Sequence, residues 1–207
     1  MDNEISLLHG AGGEAYRELV REVFLPAYGS AELSEMGDSA LVDGGAKLAF
    51  TTDGFVVTPL ELPGGDVGSL SVSGTVNDLA VSGAVPRYLS VSMILEAGLP
   101  VRVLRRVAQS IARTAREAGV RVVTGDTKVV EKGRADGIYI TTAGIGTLDG
   151  PWEIPPQRVE AGDALIVSGP IACHGMAVMA AREKLGFAPP ILSDARPLGG
   201  AIRAVLE

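Results

Sequence analysis

The chain has 207 residues, of which 46% are hydrophobic and 21% charged, so it can bury a sizeable core and is too apolar to be disordered. Its net charge of −7 argues against nucleic acid or an anionic membrane as a partner, although a metal ion can still join acidic side chains to a nucleotide phosphate. The single cysteine excludes an internal disulfide, and the sequence shows neither a signal peptide nor a transmembrane run, so we expect a cytoplasmic protein.

The first predicted element is a helix that follows the glycine-rich loop HGAGG, residues 9–13, and has apolar positions at helical spacing from Tyr16 onward. Residues 47–59 are β-branched and aromatic, and they predict a strand. Asp66 stands where an N-cap is expected for a second helix, which continues through the small residues of GTVNDLAVSGA.

The middle of the chain continues the alternation of strands and helices. The pattern predicts strands at residues 87–95, 120–125 and 137–150, and an amphipathic helix with an arginine-rich outer face at residues 99–119. This order of elements predicts an α+β or α/β sandwich with the helices on one face of the sheet.

A proline-rich segment, residues 151–163, predicts a domain boundary. We therefore expect one domain over residues 1–150 and the beginning of a second α/β domain over residues 151–207. In the second part, ALIVSG at residues 164–169 predicts a strand, and residues 173–186 predict a helix. A unit of this length is short for a domain that folds on its own.

Acidic residues recur at the ends of apolar segments or within the helix of small residues. They are Asp38, Asp53, Asp78 and Asp126, with Asn77 before Asp78 and Lys128 shortly after Asp126. Any one of them could simply start a turn or cap a helix. Four acidic positions on separate elements can also converge at one end of a sheet, where they would repel each other unless they held a divalent cation and, through it, a phosphate. The HGAGG loop can offer backbone N–H groups to the same phosphate, but a lone glycine-rich loop is a signal of low specificity.

Six motifs stand in a characteristic order along the chain. They are HGAGGEAYRELV, MGDSALV, LAFTTDGFVVTPLELPGGDVG, GTVNDLAVSGAVPRYLS, ILEAGLP and VTGDTKVVEKG. In order and spacing they resemble the HypE family of [NiFe]-hydrogenase maturation proteins, within the aminoimidazole ribonucleotide synthetase (PurM) superfamily. The resemblance covers essentially the whole chain and is densest over residues 7–147. It implies an α+β fold: a PurM-like N-terminal α/β domain whose mixed sheet forms a dimer β-barrel with helices outside, and the start of a second α/β domain.

The resemblance also implies a role for each of the acidic and glycine positions. The residues that it assigns to Mg²⁺ are Asp38, Asp53 and Asp78. The residues that it assigns to ATP are Gly12, Gly13, Asn77, Asp126, Thr127 and Lys128. Asp78 and Lys128 are further implied in catalysis, because metal and lysine stabilise the charge of the transferring phosphoryl group.

The implied reaction is the ATP-dependent dehydration of a cysteine S-carboxamide to a thiocyanate, the precursor of a metal-bound cyanide. The implied partners are a second copy of the chain, a HypF-type carbamoyltransferase and a HypC–HypD complex, with no nucleic acid and no membrane. Members of the family end in a Pro-Arg-x-Cys tail that carries the carboxamide, whereas this chain ends in AIRAVLE. We therefore expect it to be incomplete for that reaction.

Two alternatives remain open at the level of sequence. One is a non-catalytic dimeric scaffold or fragment of the same family, and the other is a PurM-like ATP-dependent enzyme that acts on a small-molecule amide. The retained acidic positions favour at least nucleotide binding. Cys173 reads as a half-buried small residue rather than a substitute carrier. His174 reads as a hydrogen-bonding residue at a helix start rather than a catalytic base, and His9 reads as a loop residue beside the glycines.

Overall fold

The computed structural model describes residues 4–10, 13–29, 48–152, 154 and 158–207. The strands are β1 (Leu48–Phe55), β2 (Glu61–Leu62), β3 (Gly65–Asp66), β4 (Val85–Glu96), β5 (Arg121–Val130) and β6 (Ile138–Thr147). The helices are α1 (Glu14–Leu19), α2 (Leu25–Tyr28), α3 (Val67–Val81), α4 (Val101–Glu117), α5 (Cys173–Arg182) and α6 (Gly199–Leu206). A 3₁₀ turn, Leu7–Gly10, precedes α1, and a π-helical turn, Val20–Phe24, joins α1 to α2.

The central sheet has four strands in the order β1-β6-β4-β5. Strands β4 and β5 are parallel and are connected through α4, whereas β6 lies antiparallel to both of its neighbours, β1 and β4. Helices α3 and α4 pack against each other, and α3 packs against β1 and β6. The predicted mixed sheet with helices on one face is therefore confirmed.

Alternation along each strand decides which side chains enter the core. On β4 the buried positions are Leu89, Val91, Met93 and Leu95, and they face the helices. The side chains between them point to the other face, which the described residues leave largely uncovered and which we call the open face. It carries Leu48 and Phe50 of β1 and Ile94 of β4, with exposed fractions of 47%, 72% and 40%.

Helix α3 begins where the sequence predicts. The Asp66 side chain accepts a hydrogen bond from the Ser69 backbone N–H at 2.8 Å, and the Ser69 hydroxyl oxygen accepts one from the Asp66 N–H at 3.0 Å. This reciprocal pair is a capping box, which satisfies backbone donors that a helix start otherwise leaves free. The helix ends at Val81, and Gly83 follows it with a φ of +79°.

The strand predicted at residues 164–169 is wrong. These residues form neither helix nor strand, and Leu165, Ile166 and Val167 are exposed. An apolar run becomes a strand only when a neighbouring strand accepts its backbone hydrogen bonds, and the described part of the chain offers none here. The helix predicted just after it is confirmed as α5. Among the described residues, no helix is both long and apolar enough to cross a membrane.

Candidate functional site

Two of the predicted metal ligands, Asp53 and Asp78, lie at the contact between β1 and α3. The Thr51 hydroxyl donates a hydrogen bond to Asp78 Oδ2 at 3.3 Å. A methyl group added to Gly74, which lies one helical turn before Asp78, would come within 3.3 Å of Asp53 Oδ2. Both carboxylates therefore face the same gap between strand and helix, and we call them the acidic pair.

The acidic pair has oxygen atoms available for a cation. Asp53 is half-buried on an edge strand, where its Oδ1 accepts a hydrogen bond from the Gly54 N–H at 2.8 Å, and Asp78 is exposed. Neither carboxylate forms an ion pair with any residue that the structure describes. Carboxylate and hydroxyl oxygens are hard donors of the kind that Mg²⁺ prefers, so the residues present fit a Mg²⁺ ion.

A third acidic ligand does not come from the described residues. Among them, no group of three or more His, Cys, Asp or Glu side chains is close enough to hold a metal ion. Asp38, the third residue assigned to Mg²⁺, lies outside the described residues, as does Gly12 of the glycine-rich loop.

Asp126 and Lys128 lie on β5, at the opposite edge of the sheet, and their side chains are on the open face. Lys128 Nζ lies 3.3 Å from Asp126 Oδ2, and the two side chains are 66% and 54% exposed. An ion pair this exposed contributes about 0–1 kcal/mol to stability. Thr127 points the other way because strand residues alternate, and it is buried.

Tyr16 joins this group from α1 and was missed as a site residue, because the sequence pattern reads it only as an apolar helix position. Its pKa is raised by burial first and by the negative charge of Asp126 second, while Lys128 and a hydrogen bond with Thr127 lower it. Gly13 is the N-cap of the same helix, and the 3₁₀ turn before it packs on β5. The described end of the glycine-rich loop therefore lies close to β5. We call Tyr16, Asp126, Thr127 and Lys128 the β5 group.

The acidic pair and the β5 group do not meet within one chain. Across the sheet, Asp53 is paired with Thr142, Thr142 with Val91, and Val91 with Gly125. Three strand intervals separate the two edges, which is roughly 14 Å. Asp126 and Lys128 also lie on the face opposite to Asp53. The charged residues among the predicted site residues that the structure describes thus fall into two groups, one at each edge of the sheet.

Asn77 is half-buried and belongs to neither group. Its Nδ2 donates to the Arg196 carbonyl at 3.0 Å, and its Oδ1 accepts from the Leu198 N–H at 2.7 Å. The side chain is thus bound to the C-terminal part of the chain. A cavity of about 380 Å³ lies nearby between α3, α6 and Trp152, and none of the predicted site residues that the structure describes lines it.

The two histidines have local partners. His9 is buried, and its Nδ1 accepts a hydrogen bond from the Ser6 backbone N–H at 3.0 Å. His174 donates its backbone N–H to Asp194 and pairs its ring Nδ1 with the Ser193 hydroxyl at 3.0 Å. Both arrangements agree with the local roles expected from the sequence. Cys173 is half-buried at the start of α5.

Comparison with known proteins gives consistent similarities. The family model for the N-terminal domain of AIR synthase related proteins matches residues 36–148. The carbamoyl dehydratase HypE of Rhodobacter capsulatus is 47% identical over 208 residues, a match that covers 99% of this chain and 61% of the relative. The chain thus spans about three fifths of the length of such curated relatives.

Solved structures agree with the sequence comparisons. A hydrogenase maturation protein HypE in complex with ATP is similar with a TM-score of 0.85 and 40% identity, over 97% of this chain and 60% of that one. A chain of a HypE–HypF complex is similar with a TM-score of 0.75 and 47% identity, over 91% of this chain and 61% of that one.

Proposed function

This chain belongs to the AIR synthase related family and, within it, to the HypE proteins, and on this premise we propose that it acts in ATP-dependent carbamoyl dehydration. The substrate would be a cysteine S-carboxamide and the product a thiocyanate. The observation that carries the proposal is the acidic pair, because two carboxylates without a cationic partner among the described residues lie at the same contact between β1 and α3.

We propose that Asp53 and Asp78, together with Asp38, hold Mg²⁺ against the phosphates of ATP. The metal ion, when bound, neutralises phosphate charge and favours attack by the carboxamide oxygen. The chain's own contribution is to hold the two described carboxylates on rigid elements, a strand and a helix that contact each other closely at Gly74. The Thr51 hydroxyl orients Asp78 toward the gap.

We propose that the β5 group serves the same nucleotide, with Lys128 as the cation that stabilises the transferring charge. In this proposal Gly13, which lies near this group, and Gly12 of the same loop offer backbone N–H groups to a phosphate. Asp126 holds the Lys128 ammonium by their ion pair. We assign Thr127 an indirect role in nucleotide binding, because its side chain is buried and hydrogen-bonds to Tyr16, and it does not point to the open face.

A homodimer is part of this proposal. The open face carries exposed apolar side chains, of which Phe50 is 72% exposed, and a second copy would cover them. The β5 group and the acidic pair lie at opposite edges of one sheet. When a second copy packs on the open face, the β5 group of one copy can lie near the acidic pair of the other.

The proposed further partners are a HypF-type carbamoyltransferase, which would supply the carboxamide, and a HypC–HypD complex, which would receive the cyanide. The first is supported by the similarity to a chain solved in a HypE–HypF complex. The second rests on the family resemblance.

Calorimetric titration of the purified chain with ATP, with and without Mg²⁺, tests the proposal. We expect binding that requires Mg²⁺ and that is abolished in Asp53→Asn and Asp78→Asn, because each variant keeps the side-chain size and loses the charge. Asp136→Asn is the matched control, since Asp136 is an acidic residue in the β5–β6 loop that accepts a hydrogen bond from Tyr139. A folded dimer that binds no ATP would overturn the proposal and favour the non-catalytic scaffold.

A further inference from the structure

A segment of the C-terminal part connects the turn between β2 and β3 with the C-terminal half of α3. We call residues 192–198 the strap. Near its start, the Ser193 N–H donates to the Pro63 carbonyl at 2.8 Å, just before α3. Near its end, Arg196 and Leu198 bind the Asn77 side chain. The strap is therefore anchored just before α3 begins and again near the end of α3.

The Asn77 amide is suited to this contact. Its Oδ1 accepts from a backbone N–H and its Nδ2 donates to a backbone carbonyl, so a flipped amide would place donor against donor and acceptor against acceptor. Both strap atoms belong to the backbone, so the bonds depend on the strap's path rather than on its side chains. An aspartate could not make both bonds, because an ionised carboxylate donates none.

Asn77 and Asp78 fix the same turn of α3 from two sides. Neighbouring helix positions point about 100° apart, so Asp78 faces Thr51 of β1 while Asn77 faces the strap. Helix α6 follows the strap directly and packs on α3, with Gly199 next to Ala80. The turn of α3 that carries Asp78 is therefore held by the sheet on one side and by the strap on the other.

We infer that Asn77 is a positioning residue of the nucleotide site, which acts by holding the strap on α3 and makes no contact with phosphate. The inference rests on the proposed function, because it gives the acidic pair a coupling to the C-terminal part of the chain. When the strap is seated, Asp78 is held in the orientation that binds Mg²⁺ and ATP. Binding of Mg-ATP in turn favours the seated strap, since the coupling between two sites is reciprocal.

A double-mutant cycle on Mg-ATP affinity tests this, with Asn77→Ala on the helix and Leu198→Pro on the strap. Leu198→Pro removes the N–H that Asn77 accepts, and the φ of Leu198, −108°, needs only a moderate change. We expect each single variant to weaken Mg-ATP binding roughly tenfold, the effect of losing one or two hydrogen bonds, and the double variant to be no weaker than either.

Ser82→Ala is the matched control. It removes a 3.0 Å hydrogen bond from the Ser82 hydroxyl to the Asp78 carbonyl at the same end of α3 without touching the strap, and it should leave the affinity nearly unchanged. Single effects that multiply in the double variant would overturn the inference, because Asn77 would then act independently of the strap. The inference would also be overturned if Asn77→Ala and Leu198→Pro both bind Mg-ATP as tightly as the wild type does.

Hydrogen exchange distinguishes coupling from a purely structural contact, because such a contact would not make the exchange rate of the strap depend on Mg-ATP. The Leu198 amide should exchange several-fold more slowly when Mg-ATP is added to the wild type, and its exchange should not respond to Mg-ATP in Asp78→Asn. Identical exchange with and without bound Mg-ATP would overturn the coupling. A wild type that fails to bind Mg-ATP at all would instead overturn the proposed function, and the positioning role with it, so the two failures are distinguishable.

Discussion

At the scale of single residues, Glu96 shows how one carboxylate orders a loop. It lies at the end of β4, and its Oε1 and Oε2 accept hydrogen bonds from the Gly133 and Gly137 N–H groups at 2.6 and 3.0 Å. These two glycines lie in the loop that joins β5 to β6. The side chain thus fixes the point at which the chain turns back to enter the middle of the sheet.

We expect Glu96→Ala to lower the free energy of unfolding by about 2 kcal/mol, because two backbone donors lose a charged acceptor. Glu96→Gln keeps one acceptor oxygen and should cost less. Urea denaturation measures both, with Glu131→Ala, an exposed position in the same loop, as a control that should change stability by less than about 0.5 kcal/mol. Equal losses for Glu96→Ala and Glu131→Ala would contradict this role.

Tyr28 presents the opposite case, because its hydroxyl has no hydrogen-bond partner among the described residues. Its ring stacks on Phe24 with centroids 5.9 Å apart. Its hydroxyl is enclosed and accepts or donates no hydrogen bond within the described part of the chain, although the residue as a whole is only half-buried. Burial raises the pKa of Tyr28. A hydroxyl that loses water and gains no partner costs free energy in the folded state.

Tyr28→Phe should therefore stabilise the protein by about 1 kcal/mol at neutral pH. The gain should grow above about pH 10, the ordinary pKa of tyrosine, because there the unfolded wild type releases a proton that the folded wild type retains. Urea denaturation at neutral pH and near pH 10.5 measures both effects. Tyr88→Phe, whose ring lies under Arg121, serves as the control. A less stable Tyr28→Phe would show that the hydroxyl has a partner in solution.

At the scale of secondary-structure elements, two helix glycines have opposite surroundings. A methyl group at Gly68 would lie 2.6 Å from the backbone oxygen of Val107, where α3 crosses α4. A methyl group at Gly175 in α5 would have no atom of the residues that the structure describes within 4 Å. Since a backbone oxygen cannot turn aside, Gly68 is required by the close approach of two helices, and Gly175 is not.

We expect Gly68→Ala to destabilise the protein by about 1–3 kcal/mol, because overpacking outweighs the better helix propensity of alanine. Gly175→Ala should instead stabilise it by up to about 1 kcal/mol. Thermal unfolding of the two variants measures the difference in sign. A stabilising Gly68→Ala would mean that α3 and α4 pack less closely than described.

The elements that the sequence predicts correctly are those with a local cause. Helix α4 has an apolar stripe at helical spacing, β4 alternates between buried and exposed side chains, and α3 has its capping box. The apolar run at residues 164–169 does not form a strand, because a strand depends on a neighbouring strand whose position in the sequence is not set by local pattern. Periodicity indicates what a segment can become, and a partner decides whether it does.

At the scale of the whole molecule, the open face should hold a homodimer together. Phe50→Lys places a charge in the middle of this face and should weaken the dimer roughly tenfold or more, because a charge is costly to bury. Sedimentation velocity over a range of concentrations measures the change. Val81→Lys is the control, since Val81 is 56% exposed on α3, on the other side of the sheet. A Phe50→Lys dimer as tight as the wild type would exclude the open face as the interface.

The sequence motifs identify the candidate site residues, but they do not show which of these residues lie together in the fold. Asp53 and Asp126 each follow a recognisable pattern, yet only the strand order shows that they lie on opposite edges. The partners of Asn77 lie 119 and 121 positions away in the chain, and they are backbone atoms, which no motif records. Thr51 could have been anticipated, since it lies two positions before Asp53 and so on the same face of the strand.

The position of β6 has a consequence for the order in which the molecule can assemble. β1 has its described neighbour only in β6, and Thr52 donates a hydrogen bond to the Thr142 carbonyl across 90 positions. At ordinary rates of protein synthesis, roughly 5–20 s pass between the emergence of these two residues from the ribosome. Until then β1 lacks its described neighbouring strand, and its free edge can be bound by chaperones or pair with neighbouring nascent chains.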